Sequence, residues 1–448
     1  MRALTAHQIA EAAGGTLVGG DGSVVAHSVS TDSRAVPGGC VFVALRGDKF
    51  DGHDYLDEVC QSGATVAVVD RDLPAPAGVA LIRVPDTRRA LGRLAQVVRR
   101  SVTRTRVIAI AGSNGKTSTK NVLHHVLSRR LRGSASPKSF NNDIGVPATL
   151  FPVSPDDDYV VLEIGTNHPG EVEHLSRMSE PDVAVITSIG EEHLEFFHTL
   201  DNVRRENAAI VAGLRPGGLL VFNGDDERLG PFVADIGNTV RFGTKAGHDL
   251  IAADIRVTLD GTRFTVAGAD YFTPAIGAHF AVNALAVIAV ARHLGLDDES
   301  IRAGLAGADA SDMRMQRRVC GGVTVLNDAY NANPTSVRAA LQALRQVEWP
   351  GRRVVVLADM KELGALSVEA HDAIAADVAA VPPDLAFAVG PAWQEPSHAI
   401  RGCRWFADSG DAAGVVADTV RDGDLVLLKG SRSMKLERVA DAIAAVHR

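Results

Sequence analysis

The chain has 448 residues, too many for one ordinary hydrophobic core, so two or three domains are expected. Hydrophobic residues make up 46% and charged residues 22%, the balance of a globular protein. A formal net charge of −8 argues against a general nucleic-acid surface and leaves only local basic sites for small anions.

In chain order, "MRALTAHQIAEAAGG" reads as an amphipathic helix without the apolar centre of a signal peptide, which points to the cytoplasm. Residues 1–84 then mix short strands, "CVFVALRG" and "ATVAVVD", with Gly- and Asp-rich turns. The helical stretch "DTRRALGRLAQVVRR" opens a second block, 85–310, in which strands alternate with helices. Its β-branched runs "RVIAIAG", "DYVVLEIG", "PDVAVITSIG" and "GGLLVFNGD" suit buried parallel strands. Asp260-Gly261 reads as the tight turn of a hairpin appended to that sheet. The apolar helix "HFAVNALAVIAVARHLG" is interrupted by Asn283 and too short to cross a bilayer, so no membrane partner is expected. A third block, 311–448, repeats the alternation with "GGVTVLND", "RRVVVLADM", "DLAFAVG" and "DLVLLKGS". The expected architecture is a small mixed α/β domain, a central parallel-sheet domain and a Rossmann-like C-terminal domain. Cys40, Cys60, Cys320 and Cys403 form no C-x-x-C pair and read as idle thiols.

The chemistry concentrates at "VIAIAGSNGKTSTKNVL". A strand, a glycine turn and a helix place Gly112, Ser113, Asn114, Gly115, Lys116, Thr117 and Ser118 where a phosphate loop sits. There, backbone N–H groups and the helix N-terminus favour anions. Lys116 would neutralise terminal phosphate oxygens and the Thr117 hydroxyl could ligate Mg²⁺. The common spacing G-x-x-x-x-G-K-[ST] would require a glycine where Ile110 stands. An ordinary glycine turn is the alternative, and the loop alone does not separate a kinase, a GTPase and a ligase. Glu163 and His193 follow neighbouring strands, and ligands gather at the carboxyl ends of such strands. A carboxylate and an imidazole there suit divalent cations.

The ordered series resembles the ATP-dependent Mur ligase family, whose shorter loop G-x-x-G-K-[ST]-[ST] matches Gly112 to Ser118 and needs no earlier glycine. "STDSRAVPGGCVFVALRGDKFDGHDY", "KSFNNDIGVPATL", "LEIGTNHPGEVEHL", "TSIGEEHLEFF", "NDAYNANPTSVRAAL", "LADMKELG" and "LLKGSRSMKLERV" extend the resemblance over all three blocks. The branch most resembled adds D-alanyl-D-alanine to UDP-N-acetylmuramoyl-tripeptide through an acyl phosphate, in peptidoglycan precursor synthesis. The resemblance implies ATP and Mg²⁺ as cofactors, Lys116, Glu163 and His193 in catalysis, and Thr117, Glu163 and His193 at the metals. It implies that Asn283 contacts adenine and that Arg314 and Asp328 close over ATP from the third domain. Thr31, Asp32, Ser33 and Arg34 would hold the uridine nucleotide, and Asn141 and Asn142 the muramyl peptide. Asn331, Ser431 and Arg432 would take the incoming dipeptide. A monomer with small-molecule substrates is expected.

One position departs from the family. A lysine carbamylated to help hold the second Mg²⁺ usually stands fourteen residues after the metal histidine, and here that residue is Asn207. Another carboxylate or a water could complete the site, the enzyme could be slow or use another cation, or the protein could bind nucleotide without ligating. Glu206 is adjacent but points about 100° away on a helix. Two rivals follow: a relative joining a different amino acid or dipeptide, and a non-catalytic nucleotide binder. Ala358, where the family generally has glycine, and Phe280, where asparagine is common, are minor departures.

Overall fold

The computed structural model describes residues 3–309 and 311–447. Near the N-terminus, Thr5 and Gln8 form a capping box that starts the helix Ala6–Ala13. A five-stranded sheet follows, in the spatial order Thr16–Gly19, Ala80–Arg83, Val66–Val69, Cys40–Val43, Ser28–Ser30. Only the first pairing is antiparallel.

The helix Thr87–Ser101, capped by Asp86, joins this unit to the next. Its Arg99 is 1% exposed and donates to Asp182 Oδ2 at 2.8 Å and to the carbonyls of Ser179 and Glu180. That cation is paired and hydrogen-bonded, as a buried charge must be. The apolar face of the helix, with Leu91, Leu94 and Val98, lies in one core with Ile9 and Val41 on one side and Val107 and Val160 on the other.

The central sheet has seven parallel strands, in the order Leu250–Ile251, Thr239–Gly243, Leu219–Asn223, Val183–Ile186, Arg106–Ala111, Tyr159–Glu163, Gly133–Ala135. Alternate residues of Arg106–Ala111 enter different cores. Val107, Ala109 and Ala111 face the Thr87–Ser101 side, while Ile108 and Ile110 face Leu123 and the helix Ala278–His293. Both faces are covered, which explains the unbroken apolar runs. The chain leaves Arg106–Ala111 first to one side and later to the other, so the carboxyl end of that strand is a topological switch point.

The Asp260-Gly261 hairpin forms, with Thr258 opposite Gly261, but it does not extend the parallel sheet. It belongs to a separate three-stranded antiparallel sheet completed by Ala269–Thr273. The expectation of an appended hairpin is corrected accordingly: Phe264 and Tyr271 stack at 5.7 Å and pack on the apolar helix Ala278–His293 instead.

The last sheet has six strands, in the order Gln316–Cys320, Val323–Asp328, Leu425–Lys429, Arg353–Ala358, Leu385–Val389, Arg404–Phe406. All neighbours are parallel except the first pair. Among the described residues no helix is long and apolar enough to cross a membrane.

Candidate active site

A cavity of about 1350 Å³ opens between the central and C-terminal sheets and is lined from the carboxyl ends of strands on both sides. Its floor is the phosphate loop. Gly112 and Gly115 have φ of +127° and +87°, a region that side chains rarely enter. A Cβ on Gly112 would stand 2.2 Å from Thr187 Oγ1, and one on Gly115 would stand 2.7 Å from Asn283 Oδ1. Gly115 is the N-cap of the helix Lys116–Ser128 and no side chain caps it. The first-turn N–H groups therefore remain available to an anion, helped by the helix dipole.

Lys116 Nζ lies over this turn, donating to the Gly112 and Ser113 carbonyls and standing 3.5 Å from Glu192 Oε2. Asn141 Nδ2 donates to Glu163 Oε1 at 3.1 Å. Glu163 is 1% exposed, and its second oxygen accepts no hydrogen bond, with Lys120 Nζ 3.4 Å away. An orphaned, buried carboxylate oxygen beside a phosphate loop and the Thr117 hydroxyl fits a hard cation shared with phosphate oxygens. No three His, Cys, Asp or Glu side chains converge as a cage among the described residues. Mg²⁺ is usually bound by one or two carboxylates plus substrate phosphates, so the donor set suits it.

The C-terminal unit is docked on this floor. Arg314 donates to Thr117 Oγ1 at 3.0 Å and lies over the Tyr330 ring, 3.8 Å from its centroid. Tyr330 OH meets Ser139 Oγ at 2.8 Å, and Asn333 Nδ2 donates to Asn114 Oδ1 at 3.0 Å. Thr335 donates to Glu191, and Glu195 N donates to the Glu362 carbonyl at 3.1 Å. His193 Nδ1 stands 2.6 Å from Glu362 Oε2. Its effect is to hold the Glu362 carboxyl below the ordinary carboxylate range.

These matches extend to known proteins. Residues 110–291 match the family described as Mur ligase middle domain, 313–432 the Mur ligase, glutamate ligase domain, and 25–99 the Mur ligase family, catalytic domain. The chain is 34% identical to the UDP-N-acetylmuramoyl-tripeptide--D-alanyl-D-alanine ligase of Bacillus subtilis, over 97% of each chain. It is 35% identical to the ligase of the same name in Escherichia coli, over 99% of each. The chain belongs to the Mur ligase family. Two solved structures agree in fold. MurF from Acinetobacter baumannii superposes with TM-score 0.91 at 30% identity, covering 99% of each chain. MurF from Thermotoga maritima in complex with ADP superposes with TM-score 0.84 at 27% identity, covering 94% of this chain and 97% of that one.

Most residues singled out in the sequence of this Mur ligase line the cavity: Ser113 to Ser118, Asn141, Asn142, Glu163, His193, Asn283, Arg314, Asp328, Asn331 and Arg432. Several are engaged within the fold. Asn142 Oδ1 accepts from the Gly145 N–H and starts the short helix Gly145–Leu150. Asp328 Oδ2 pairs with Lys429 at 2.8 Å, and Arg432 pairs with Glu437 at 2.7 Å. Ser431 is buried and accepts from the Lys361 N–H. Thr31 to Arg34 do not line this cavity. Thr31 borders a smaller hollow of about 310 Å³ between the first sheet and Leu91, Ile144 and Phe151. The Arg34 fork grips Asp32 through two 2.8 Å bonds, which hold that exposed carboxyl at about 2.

Asn207 lies behind the loop, 1% exposed. Gly112 N–H donates to its Oδ1 at 2.8 Å, and its Nδ2 donates to the Val203 carbonyl at 3.0 Å and to Glu192 Oε1 at 3.5 Å. Glu206 points elsewhere, accepting from Gly170 N at 2.7 Å and Val172 N at 2.8 Å at the start of the helix Glu171–Ser179. Sequence reasoning quoted Glu192, Lys120, Asn333 and Glu362 without giving them roles. The buried Lys120 is the clearest such case: it donates to the Ser136 and Lys138 carbonyls and so ties the loop helix to the segment that leads into "SFNND". A lysine one turn inside a helix otherwise rich in buried positions was the available signal.

Two predictions arise here. Glu362→Ala removes the carboxylate facing His193 but keeps the backbone bond to Glu195, so docking survives while His193 is less well oriented. Mn²⁺ affinity in the presence of ADP is expected to fall about tenfold, as for other partners of metal ligands; an unchanged affinity contradicts this role. Burial lowers the His279 imidazole from 6.5 to about 4, although nearby Asp328 pulls the other way. The folded state thus refuses a proton that the unfolded chain accepts. The stability this gives is complete above pH 6.5 and is lost as pH falls through 4, by at most about 3 kcal/mol. Urea unfolding of His279→Gln between pH 7 and 4 should show a shallower loss than the parent; parallel curves contradict it.

Proposed function

We propose that the protein joins D-alanyl-D-alanine to UDP-N-acetylmuramoyl-tripeptide at the expense of ATP, releasing ADP and phosphate. The observation that carries the reading is the uncapped phosphate loop facing Glu163, His193 and Arg314 within a chain that matches ligases of this name along almost its whole length. The cytoplasm, where nucleotide-activated sugars and ATP are at hand, is the proposed location.

A carboxylate is a poor electrophile. In the proposed reaction its oxygen attacks the γ-phosphorus, ADP departs, and an acyl phosphate results. The dipeptide amine then adds to the acyl carbon, loses a proton, and phosphate leaves with the original carboxylate oxygen. Both steps gather negative charge on oxygens, so preorganised positive groups and positioning supply most of the acceleration. The loop N–H groups and Lys116 orient the β- and γ-phosphates, with Arg314 closing from the third domain. Asn283, packed against Gly115, is placed for the adenine side. One Mg²⁺ would be held by Thr117 and Glu163 and a second by His193, and the two would supply charge neutralisation at the phosphates.

The uridine end is assigned to Thr31, Asp32, Ser33 and Arg34. The muramyl peptide would run past Asn141 and Asn142, and the dipeptide carboxylate would meet Asn331, Ser431 and Arg432. Every proposed group comes from one chain, so a monomer suffices. The domain assignment follows: 1–84 for the sugar nucleotide, 85–310 for ATP and 311–448 for the incoming dipeptide.

The test is phosphate release from ATP and Mg²⁺ with each substrate omitted in turn, and the product weighed by mass spectrometry. Release that needs both substrates, with the pentapeptide formed, is expected. Release with another amine or acid in place of these would point to a ligase of different specificity. Nucleotide binding without release would leave a silent binder.

A further inference from the structure

The family-typical lysine is absent and Asn207 is committed to the loop backbone, so the second cation site needs its anionic ligand from elsewhere in this chain. Resting on the ligase reading above, we propose that Glu192 is that ligand, acting beside His193, and that the protein needs no carbamate.

Between Gly190 and Asn207 the sequence offers five carboxylates. Glu206 caps a helix through Gly170 and Val172. Glu191 faces Thr335 and Arg338 of the C-terminal unit. Asp201 pairs with Arg204, and Glu195 is exposed against the Gly364 turn. Of the five, Glu192 alone is both buried, at 5%, and part of the lining of the phosphate cavity. Its Oε2 is 4.0 Å from His193 Nε2. Two ligands of one Mg²⁺, each about 2.1 Å from the ion, span up to about that distance. Its other oxygen is held by Asn207 Nδ2 at 3.5 Å, and Asn207 is anchored in turn by Gly112 N–H. The asparagine therefore does what a neutral side chain can do: it fixes the carboxylate relative to the phosphate loop without competing for the ion.

Charge points the same way. A buried carboxylate requires a positive partner, and Glu192 has Lys116 Nζ at 3.5 Å. Lys116 also belongs to the phosphates in the ligase reading. A divalent cation between Glu192 and His193 would keep the carboxylate neutralised when the lysine turns to nucleotide.

The experiment counts Mn²⁺ bound to the full-length protein with the non-hydrolysable analogue AMP-PCP, by electron paramagnetic resonance in buffer stripped of carbon dioxide. Two ions per nucleotide-bound protein are expected for the wild type, unchanged by added bicarbonate. In Glu192→Gln one ion remains and the second binds at least tenfold more weakly. Two equal ions in Glu192→Gln, or a second wild-type ion that appears only with bicarbonate, overturns the proposal. The wild-type bicarbonate result stands even where the variant fails to fold. Ion counts are read without turnover, so failure of the ligase reading would show in the product assay and failure of this one in the counts.

Discussion

Replacing Lys116 by methionine lowers kcat for substrate-dependent phosphate release by about 10²–10³, the usual cost of deleting one preorganised charged donor. The substitution keeps most of the apolar stem and removes the charge that sits over the Gly112 and Ser113 carbonyls. The loss falls on kcat more than on KM, because charge on the transferring phosphoryl group peaks in the transition state. Stability should fall too, by about 1–3 kcal/mol, since Glu192 then lies buried without its cation 3.5 Å away. Steady-state kinetics with urea unfolding on the same preparation separates the two effects. A kcat within threefold of the wild type would remove Lys116 from the chemistry.

Asn207→Lys is expected to damage the protein and to remain inactive with bicarbonate present. The native carboxamide uses both ends: Gly112 N–H donates to its oxygen, and its nitrogen serves the Val203 carbonyl and Glu192. Lysine offers no acceptor, so a buried N–H of the phosphate loop loses its partner at a cost of about 1–3 kcal/mol. The longer chain must also fit a site that is 1% exposed, adding roughly 1–3 kcal/mol of strain. A loop no longer held at Gly112 should bind ATP at least tenfold more weakly, measured by calorimetry. A variant of normal stability that gains activity with bicarbonate would show that position 207 can act as the family lysine does, and that its present role as a brace is incidental.

These two positions also show what could be read from the sequence and what could not. The loop was legible because its chemistry is local: glycines, lysine and hydroxyls must follow one another at a strand–helix junction, and they do. The parallel strands were legible because burial on both faces leaves an unbroken apolar run, as in Val107 to Ala111. The separate three-stranded sheet was missed because "ADYFT" lacks such a run and is half exposed, so nothing local marked Ala269–Thr273 as the third strand. The partners of Asn207 and His193 were missed for a different reason. Gly112 lies 95 residues from Asn207 in the chain, and Glu362 reaches His193 only because two separate sheets dock. Sequence spacing carries no record of such contacts. The same holds for Arg314, whose bond to Thr117 spans 197 residues and became readable only through a family resemblance.

The most direct test follows the oxygen. UDP-N-acetylmuramoyl-tripeptide labelled with ¹⁸O in its terminal carboxylate is incubated with the protein, ATP, Mg²⁺ and D-alanyl-D-alanine, and the phosphate released is examined by mass spectrometry. An acyl phosphate made and consumed in this site transfers one carboxylate oxygen to phosphate for every pentapeptide formed. Pentapeptide formed with unlabelled phosphate, or labelled phosphate without pentapeptide, would contradict the account.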